Sequence, residues 1–221
     1  MANPLRKLLR PNSAADFTAK LLAKGEIKTA LDIGCGTSSH LQPFRPSLET
    51  TGLDAFKNAI DTSKKHSVHD HYIHADILKD NINDQFDLIT LYGLIEHIPK
   101  SEGIKLLDRI EKLSRKYIIF ETPNGFVPQG PEFGNEFQRH LSGWSIQEFE
   151  SRGYTVFGTT GTRYLRGYMA GPKYNFPGCL FFDELLTLLF QINNNPKHAF
   201  NLVAIKDLRG IPAKYKKEDQ P

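Results

Sequence analysis

Short apolar stretches recur along the first two thirds of the chain, and most of them end in glycine, proline or an acidic residue. Their apolar residues are consecutive rather than alternating, and many are β-branched, which is the pattern of strands covered on both faces. The pattern therefore predicts buried strands of a parallel sheet. The predicted strands are 29–34, 50–54, 71–76, 86–95 and 116–125, with two late strands at 154–158 and 198–208.

Helical patterns separate several of these strands. Apolar residues at three-residue steps predict a helix over 101–116, with Ser101 as its N-cap and Arg115 and Lys116 among the cations near its end. A Ser-x-x-Glu capping box and a terminal glycine predict a second helix over 145–153. Strands that alternate with helices predict an α/β domain with a mostly parallel sheet.

The length of the chain fits a single domain, 1–221, with additions. The segment 159–197 lies between the two late strands and is much longer than a usual connection. It is predicted to be an insertion that serves as a lid, a substrate element or a dimer element. The polar end of the chain, 212–221, is predicted to be a mobile tail.

Composition narrows the class of protein. Hydrophobic residues make up 39% and charged residues 24% of the chain, which is typical of a globular domain, and the net charge of +3 does not by itself favour nucleic acid. The two cysteines, Cys35 and Cys179, can form no disulfide framework. Residues 1–11 lack the apolar core of a signal peptide, and no run approaches the ~18 apolar residues of a membrane span. The predicted location is therefore the cytoplasm.

The stretch LDIGCG, at the end of the first predicted strand, carries the first chemical signal. Gly34 and Gly36 would let a ligand approach the backbone, and the next helix would offer free N–H groups. A dinucleotide fold would have a third glycine, but that position is Ser39. Asp32 would also repel a pyrophosphate, whereas it suits a ligand that carries a cation.

This motif resembles the first motif of the class I S-adenosylmethionine-dependent methyltransferases, in its short Asp-x-Gly-x-Gly form. The resemblance continues in chain order over roughly 28–153. It implies a Rossmann-like sheet, mostly parallel with an antiparallel last strand and with helices on both faces. It also implies S-adenosyl-L-methionine as the cofactor.

The resemblance assigns roles within the cofactor site. Asp32 and the two glycines would hold the methionine portion, and Asp54, at the end of the second strand, would accept both ribose hydroxyls. Asp76 would lie near the adenine amino group, with Ile77 packed on the ring. The full predicted cofactor site is Asp32, Gly34, Cys35, Gly36, Asp54, Ala55, Asp76, Ile77 and Tyr92.

Glu96, His97 and His140 are the predicted catalytic residues, because they fall at the carboxyl edge of the sheet, where open α/β sheets bind ligands. A neutral imidazole of His97 or His140 could take a proton from the acceptor as the methyl group arrives. The structural alternative is that Glu96 caps the next turn and His97 packs in the adenosine wall.

The same three residues form a less favoured alternative, a divalent metal site. Their pattern resembles type 11 and type 12 small-molecule methyltransferases, and also small-RNA 2′-O-methyltransferases, which hold magnesium with a Glu-x-x-Glu-His motif and a later histidine. The first glutamate of that motif would fall at Gly93. This departure weighs against the metal and the RNA substrate.

The predicted function is therefore methyl transfer to an O or N atom of a small-molecule acceptor. An RNA 2′-O-methyltransferase with a metal is the alternative, although nucleic acid is disfavoured because no long basic stripe is visible. Two other classes are a nicotinamide-dependent oxidoreductase, which Ser39 and Asp32 disfavour, and a catalytically silent cofactor-binding module that works through a partner.

The insertion offers further predictions about partners. Its arginines, lysine and tyrosines could serve an anionic, aromatic or sugar-bearing acceptor. Its leucine-rich run could equally form a homodimer face, or a peripheral membrane contact through Phe181, Phe182 and Leu185. Asp183 and Glu184 count against strong attraction to anionic lipid.

Four histidines lie close together in the sequence and suggest a structural zinc site. Their spacing around a predicted strand is odd for one ion, so solvated or helix-edge side chains are favoured. The four are His66, His69, His71 and His74.

Overall fold

The computed structural model describes residues 13–131 and 135–210. The N-terminal stretch that lacks a signal-peptide pattern and the predicted tail at 212–221 lie outside the described residues. Five α-helices and seven strands are described. They are α1 (Ala14–Leu22), β1 (Thr29–Ile33), β2 (Glu49–Asp54), α2 (Lys57–Lys65), β3 (His71–His74), β4 (Phe86–Tyr92), α3 (Lys100–Leu113), β5 (Ser114–Pro123), α4 (Ile146–Glu150), β6 (Thr155–Thr162), α5 (Cys179–Leu189) and β7 (Ala199–Asp207).

The seven strands form one sheet in the order β3-β2-β1-β4-β5-β7-β6. The pairs among β1 to β5 are parallel, and β7 runs antiparallel to both β5 and β6. The predicted Rossmann-like sheet with an antiparallel last strand is confirmed. The strand order reverses between β1 and β4, and a ligand crevice is expected at such a switch point.

The central strands are apolar on both faces because helices cover both sides of the sheet. In β4, every residue from Phe86 to Leu91 is buried. One core cluster packs around Leu31, Ile89 and Phe120, and a second lies on the opposite face beneath α1. The consecutive apolar runs that predicted the strands reflect this two-sided burial.

The helix predicted over 101–116 begins one residue earlier and ends sooner. Pro99 is its N-cap, so Ser101 lies inside the first turn and the predicted cap is wrong. Arg115 and Lys116 belong to β5, where both side chains form ion pairs with Asp87. Lys112, the third predicted cation, does lie in the last turn, but the helix ends before Arg115 and Lys116, where β5 begins to pair with β4.

The second predicted helix is confirmed over a shorter span as α4. The capping box of Ser145 and Glu148 is present in both directions, and Gly153 follows the helix with φ +82°.

The insertion begins later than predicted, because β6 continues through Thr162. Residues 159–162 pair with β7 or lie in the irregularity of that pair, so the connection between β6 and β7 is 163–198. It contains α5 and two single 3₁₀ turns, Tyr168–Ala170 and Pro196–His198. Across the two ranges that the structure describes, no helix combines the length and the apolar character needed to cross a bilayer.

Candidate active site

The glycine-rich loop turns sharply at the end of β1. Gly34 and Gly36 have φ of +70° and +56°, a region in which residues with a Cβ are strained. The Gly34 and Cys35 N–H groups both donate to the Leu53 carbonyl, at 2.7 and 3.1 Å. A Cβ at Gly34 would also meet the Leu94 side chain at 2.9 Å. The loop is thus held between β2 and the segment after β4.

Two cavities adjoin at Gly34. The larger has a volume of about 690 Å³. Seven predicted site residues line it: Gly34, Gly36, Asp54, Ala55, Asp76, Ile77 and His97. The smaller, of about 260 Å³, is lined by four predicted residues: Asp32, Gly34, Cys35 and Tyr92. Glu96 and His140 line neither cavity.

Asp54 closes the glycine loop from the end of β2. Its carboxylate accepts the Gly36 N–H at 2.9 Å and the Phe56 N–H at 2.8 Å. Each carboxylate oxygen has a second lone pair, so Asp54 can still accept hydrogen bonds from the hydroxyl groups of a ligand in the cavity that it lines. Asp76 accepts the Leu78 N–H at 2.9 Å and lies 2.9 Å from the Lys79 Nζ.

Asp32 lies almost completely buried beneath the loop, with 3% of its surface exposed. Its oxygens accept hydrogen bonds from Ser39 at 2.5 Å and Thr90 at 2.7 Å. The His69 Nε2 lies 3.6 Å away. Burial raises the pKa of Asp32, and the hydroxyl donors and His69 oppose that rise.

The prediction that the four clustered histidines are solvated or at a helix edge is wrong for His69. It is 2% exposed rather than solvated, and burial lowers the pKa of its ring. Its packing depends on Gly52, where a Cβ would meet the His69 Cδ2 at 2.5 Å. His71 and His74 are exposed, as predicted, because β3 is a short edge strand.

Glu96, His97 and His140 come together beside the larger cavity. Within the described ranges they are the one cluster with metal-ligand spacing, and their ligand atoms lie within 4.8 Å of one another. The two imidazole rings meet edge to face, with centroids 4.7 Å apart. The His97 Nδ1 lies 3.2 Å from the Arg139 carbonyl and the His140 Nδ1 lies 2.6 Å from the Val127 carbonyl. Because a carbonyl can only accept, both rings donate from Nδ1 and keep a lone pair on Nε2.

Backbone hydrogen bonds join the segment after β5 to the segment after β4, and they bring His140 next to His97. The Glu96 carbonyl accepts the Leu141 and Ser142 N–H groups at 2.8 and 3.0 Å. The buried Trp144 donates from Nε1 to the Ser142 Oγ at 3.0 Å and stacks on Phe149. The histidine pair is therefore held by backbone hydrogen bonds and a buried indole.

A family model described as "Methyltransferase domain" matches residues 6–162, which is more than half of the chain. The chain belongs to this family of methyltransferases. A search of curated protein sequences finds no match. The glycine loop and the ends of the parallel strands fall inside the matched region.

Solved structures share the fold of this methyltransferase at low sequence identity. The N-methyltransferase NodS from Bradyrhizobium japonicum WM9, in complex with S-adenosylhomocysteine, has a TM-score of 0.55 and 16% identity, with 87% of each chain covered. The magnesium protoporphyrin IX methyltransferase from Synechocystis PCC 6803, with bound S-adenosylmethionine, has a TM-score of 0.52 and 14% identity, covering 87% of this chain and 77% of that one. The plantazolicin methyltransferase has a TM-score of 0.52 and 21% identity, covering 91% and 83%. These similarities show the class I methyltransferase fold.

Sequence reasoning missed several residues of this methyltransferase's site. Thr90 donates to Asp32, the His69 Nε2 lies 3.6 Å from the same carboxylate, and Thr122 donates to the Glu96 carboxylate at 3.0 Å. Tyr92, predicted to contact the cofactor, places its hydroxyl 2.5 Å from the Thr18 Oγ1 and its ring against His40. Thr90 and Thr122 lie in strands of the sheet. Their contacts with Asp32 and Glu96 follow from the register of the sheet and not from spacing along the sequence.

Proposed function

We propose that this methyltransferase binds S-adenosylmethionine in the larger cavity and transfers its methyl group to an O or N atom of a small-molecule acceptor. The observation that carries the proposal is the arrangement of His97, which lines the cavity and whose Nδ1 lies 3.2 Å from the Arg139 carbonyl, so that the neutral ring keeps its lone pair on Nε2. An acceptor hydroxyl or amine beside that nitrogen could lose its proton to it.

S-adenosylmethionine, when bound, supplies an activated methyl carbon, so positioning and proton removal are what the chain must add. Asp54 would accept the ribose hydroxyls, and Asp76 and Ile77 would border the adenine. Asp32 would act on the positively charged methionine end from the adjoining smaller cavity. Each assignment is supported by where the side chain lies at the carboxyl edge of the sheet.

His97 would act as the base, with His140 as its positioning partner. Burial lowers the pKa of both rings, which favours the neutral form at neutral pH. The edge-to-face contact also penalises a charge on both rings at once. Glu96, with 4% of its surface exposed, would support the pair from beneath rather than contact the acceptor.

Calorimetric titration with S-adenosylhomocysteine tests the cofactor site. Asp54→Ala removes the acceptor of two loop N–H groups and of the ribose, so affinity should fall about tenfold to a hundredfold. Asp61→Ala, on the exposed side of α2, is the matched control and should bind as the wild type does. Binding of NAD instead of S-adenosylhomocysteine would contradict the proposal and favour the oxidoreductase class.

Methyl transfer from labelled S-adenosylmethionine to a panel of hydroxyl and amine acceptors tests the reaction. The N-methyltransferase and porphyrin methyltransferase that share the fold act on chemically different acceptors, which supports a broad small-molecule panel. An RNA oligonucleotide with a free 2′-hydroxyl end belongs in the panel. Cofactor binding with no transfer to any member would favour the silent binding module.

A divalent metal is the second candidate for the same site, because two imidazoles and one carboxylate with ligand atoms within 4.8 Å of one another suit transition metals. Two Nε2 lone pairs and the second oxygen of Glu96 would be its ligands. Activity measured after treatment with EDTA, and again with added Mn²⁺, separates the candidates. We expect EDTA to leave the activity unchanged. If EDTA removes the activity, Mn²⁺ restores it, and Glu96→Gln abolishes the restoration, the metal would be established.

A further inference from the structure

Helix α5 in the insertion has its polarity reversed relative to an ordinary surface helix. Its buried positions are Cys179, Asp183 and Thr187, which are spaced four residues apart on one face. Its exposed positions carry large apolar side chains: Leu180, Phe181, Phe182, Leu185, Leu188 and Leu189. An amphipathic helix on a protein surface normally packs its apolar face inward.

The inward polar face explains how the helix is held in this orientation. The Asp183 carboxylate accepts the Thr162 N–H and Oγ1, both at 2.8 Å, and the Arg166 Nε at 2.5 Å. Arg166 in turn donates to the Ala170 carbonyl at 2.9 Å. Asp183 is fully buried and paired with Arg166, so its carboxylate is not part of the exposed face of the helix.

The exposed apolar surface continues beyond the helix. Ten of the fifteen large hydrophobic side chains that are exposed among the described residues lie between Tyr168 and Leu189, and we name this region the lid surface. Exposed apolar patches of this kind mark contacts with proteins or membranes. Met169, which is 68% exposed, also lines the larger cavity, so the lid surface reaches the mouth of the candidate active site.

Exposed positive charge accompanies the lid surface along the chain. Arg163, Lys173 and Lys197 are exposed, whereas Glu184 is the single exposed acid in 163–198. An apolar face accompanied by these three cations, which we call the cationic rim, is complementary to an anionic lipid surface.

A second copy of the chain fits the lid surface less well. The helical part of the lid surface alone is small: a helix of 11 residues is about 16 Å long, and a face about 10 Å wide offers a small part of the ~800 Å² that each partner of a stable dimer buries. A twofold axis would also bring the two cationic rims close together.

We propose that the lid surface docks this methyltransferase on an anionic membrane surface, with Phe181, Leu185 and Leu189 seated at the boundary between headgroups and acyl chains. The docked protein would present the mouth of its larger cavity to the bilayer. This inference rests on the insertion alone and does not depend on the acceptor chemistry.

Vesicle flotation tests the proposal without any measurement of methyl transfer. The probes are vesicles of phosphatidylcholine and vesicles of equal parts phosphatidylcholine and phosphatidylglycerol. We expect the protein to float with the anionic vesicles, and the double variant Phe181→Ser with Leu189→Ser to bind at least about tenfold more weakly. Ile104→Ser, an exposed apolar residue of α3, is the matched control and should float as the wild type does.

Variants of the cationic rim give a second, independent test of vesicle binding. Lys173→Gln and Lys197→Gln should each weaken binding to the anionic vesicles about fivefold and leave the weaker binding to phosphatidylcholine unchanged. Absence of flotation, or flotation that the serine variants leave intact, would overturn the proposal. Light scattering that shows a dimer dispersed by the serine variants, with no vesicle binding, would overturn it in favour of a second copy.

Discussion

At the scale of single residues, Glu96 is a buried carboxyl whose charged form is disfavoured by its surroundings. Burial raises the pKa of its carboxyl to about 7, and the hydrogen bond from Thr122 only partly offsets that rise. The carboxyl therefore titrates in the range where histidines do. The sequence predicts that this carboxyl and the two imidazoles lie at the same edge of the sheet. It does not determine whether the carboxyl is charged.

The raised pKa of Glu96 has a measurable effect on stability. Between about pH 4.5 and 7 the folded state holds a proton that the unfolded state has lost, so the free energy of unfolding falls as pH rises through this window. Glu96→Gln removes that loss and should be more stable than the wild type by about 3 kcal/mol at pH 8, with little difference at pH 4. Urea denaturation at the two pH values measures it. An equal difference at both pH values would show that the pKa of Glu96 is the same in the folded and the unfolded protein.

His97 predicts the pH dependence of the reaction. Because burial lowers the pKa of its ring, the neutral base persists below the ordinary value of 6.5, and kcat/KM should decline only below that pH. His97→Gln should lose about 10² to 10⁴ of the rate, while S-adenosylhomocysteine binds nearly as before. A decline centred near pH 7 that Glu96→Gln abolishes would instead identify the carboxyl as the titrating group.

At the scale of elements, the packing of α3 against the segment before α4 aligns the histidine pair. Gly103 faces the indole of Trp144 closely, and Lys100 places its Nζ 3.6 Å from the ring centroid and 2.6 Å from Glu148. These contacts set the distance between the loop after β4 and the loop that carries His140. A change in α3 can therefore reach the site without touching it.

Gly103→Ala tests this packing. Its Cβ would lie 2.5 Å from the Trp144 Cζ2, so the substitution should lower the free energy of unfolding by about 1–3 kcal/mol although alanine is the better helix former. Chemical denaturation measures the change. Ser101→Ala, at an exposed neighbouring position, is the control and should stay within about 0.5 kcal/mol of the wild type. A stabilised Gly103→Ala would mean that the indole can move away freely.

At the scale of the whole molecule, the sheet gathers the site from distant parts of the sequence. The glycine loop, Asp54, Asp76 and His97 follow four different parallel strands, and they meet because the carboxyl ends of those strands share one edge. A ligand in the larger cavity would contact all four segments at once. Its binding should therefore stabilise the domain as a unit.

Thermal unfolding measures that coupling. At a hundredfold excess over the dissociation constant, S-adenosylhomocysteine should add about 2.7 kcal/mol, which raises Tm by about 5–10 °C for a domain of this size. The wild type with NAD, and Asp54→Ala with S-adenosylhomocysteine, are the comparisons and should shift much less. An equal shift with NAD would contradict the assignment of the cavity.

The sequence by itself determined the sheet, the glycine loop and the family. Consecutive apolar runs, positive-φ glycines and acids after strands are local signals, because burial on two faces and tight turns restrict which residues can stand at each position. The capping box of α4 was equally local. The meeting of His97 with His140 was suggested by the expected sheet edge alone.

Only the tertiary structure decided the charges and the orientations. His69 is buried because β2 and its glycine leave space for it, and α5 turns its polar face inward because Asp183 finds partners on β6 and Arg166. The end of α3 coincides with the start of β5, which pairs with β4 from Ser114 onward. Burial and contacts between residues distant in the sequence determine these features, and the spacing of neighbouring residues predicts neither.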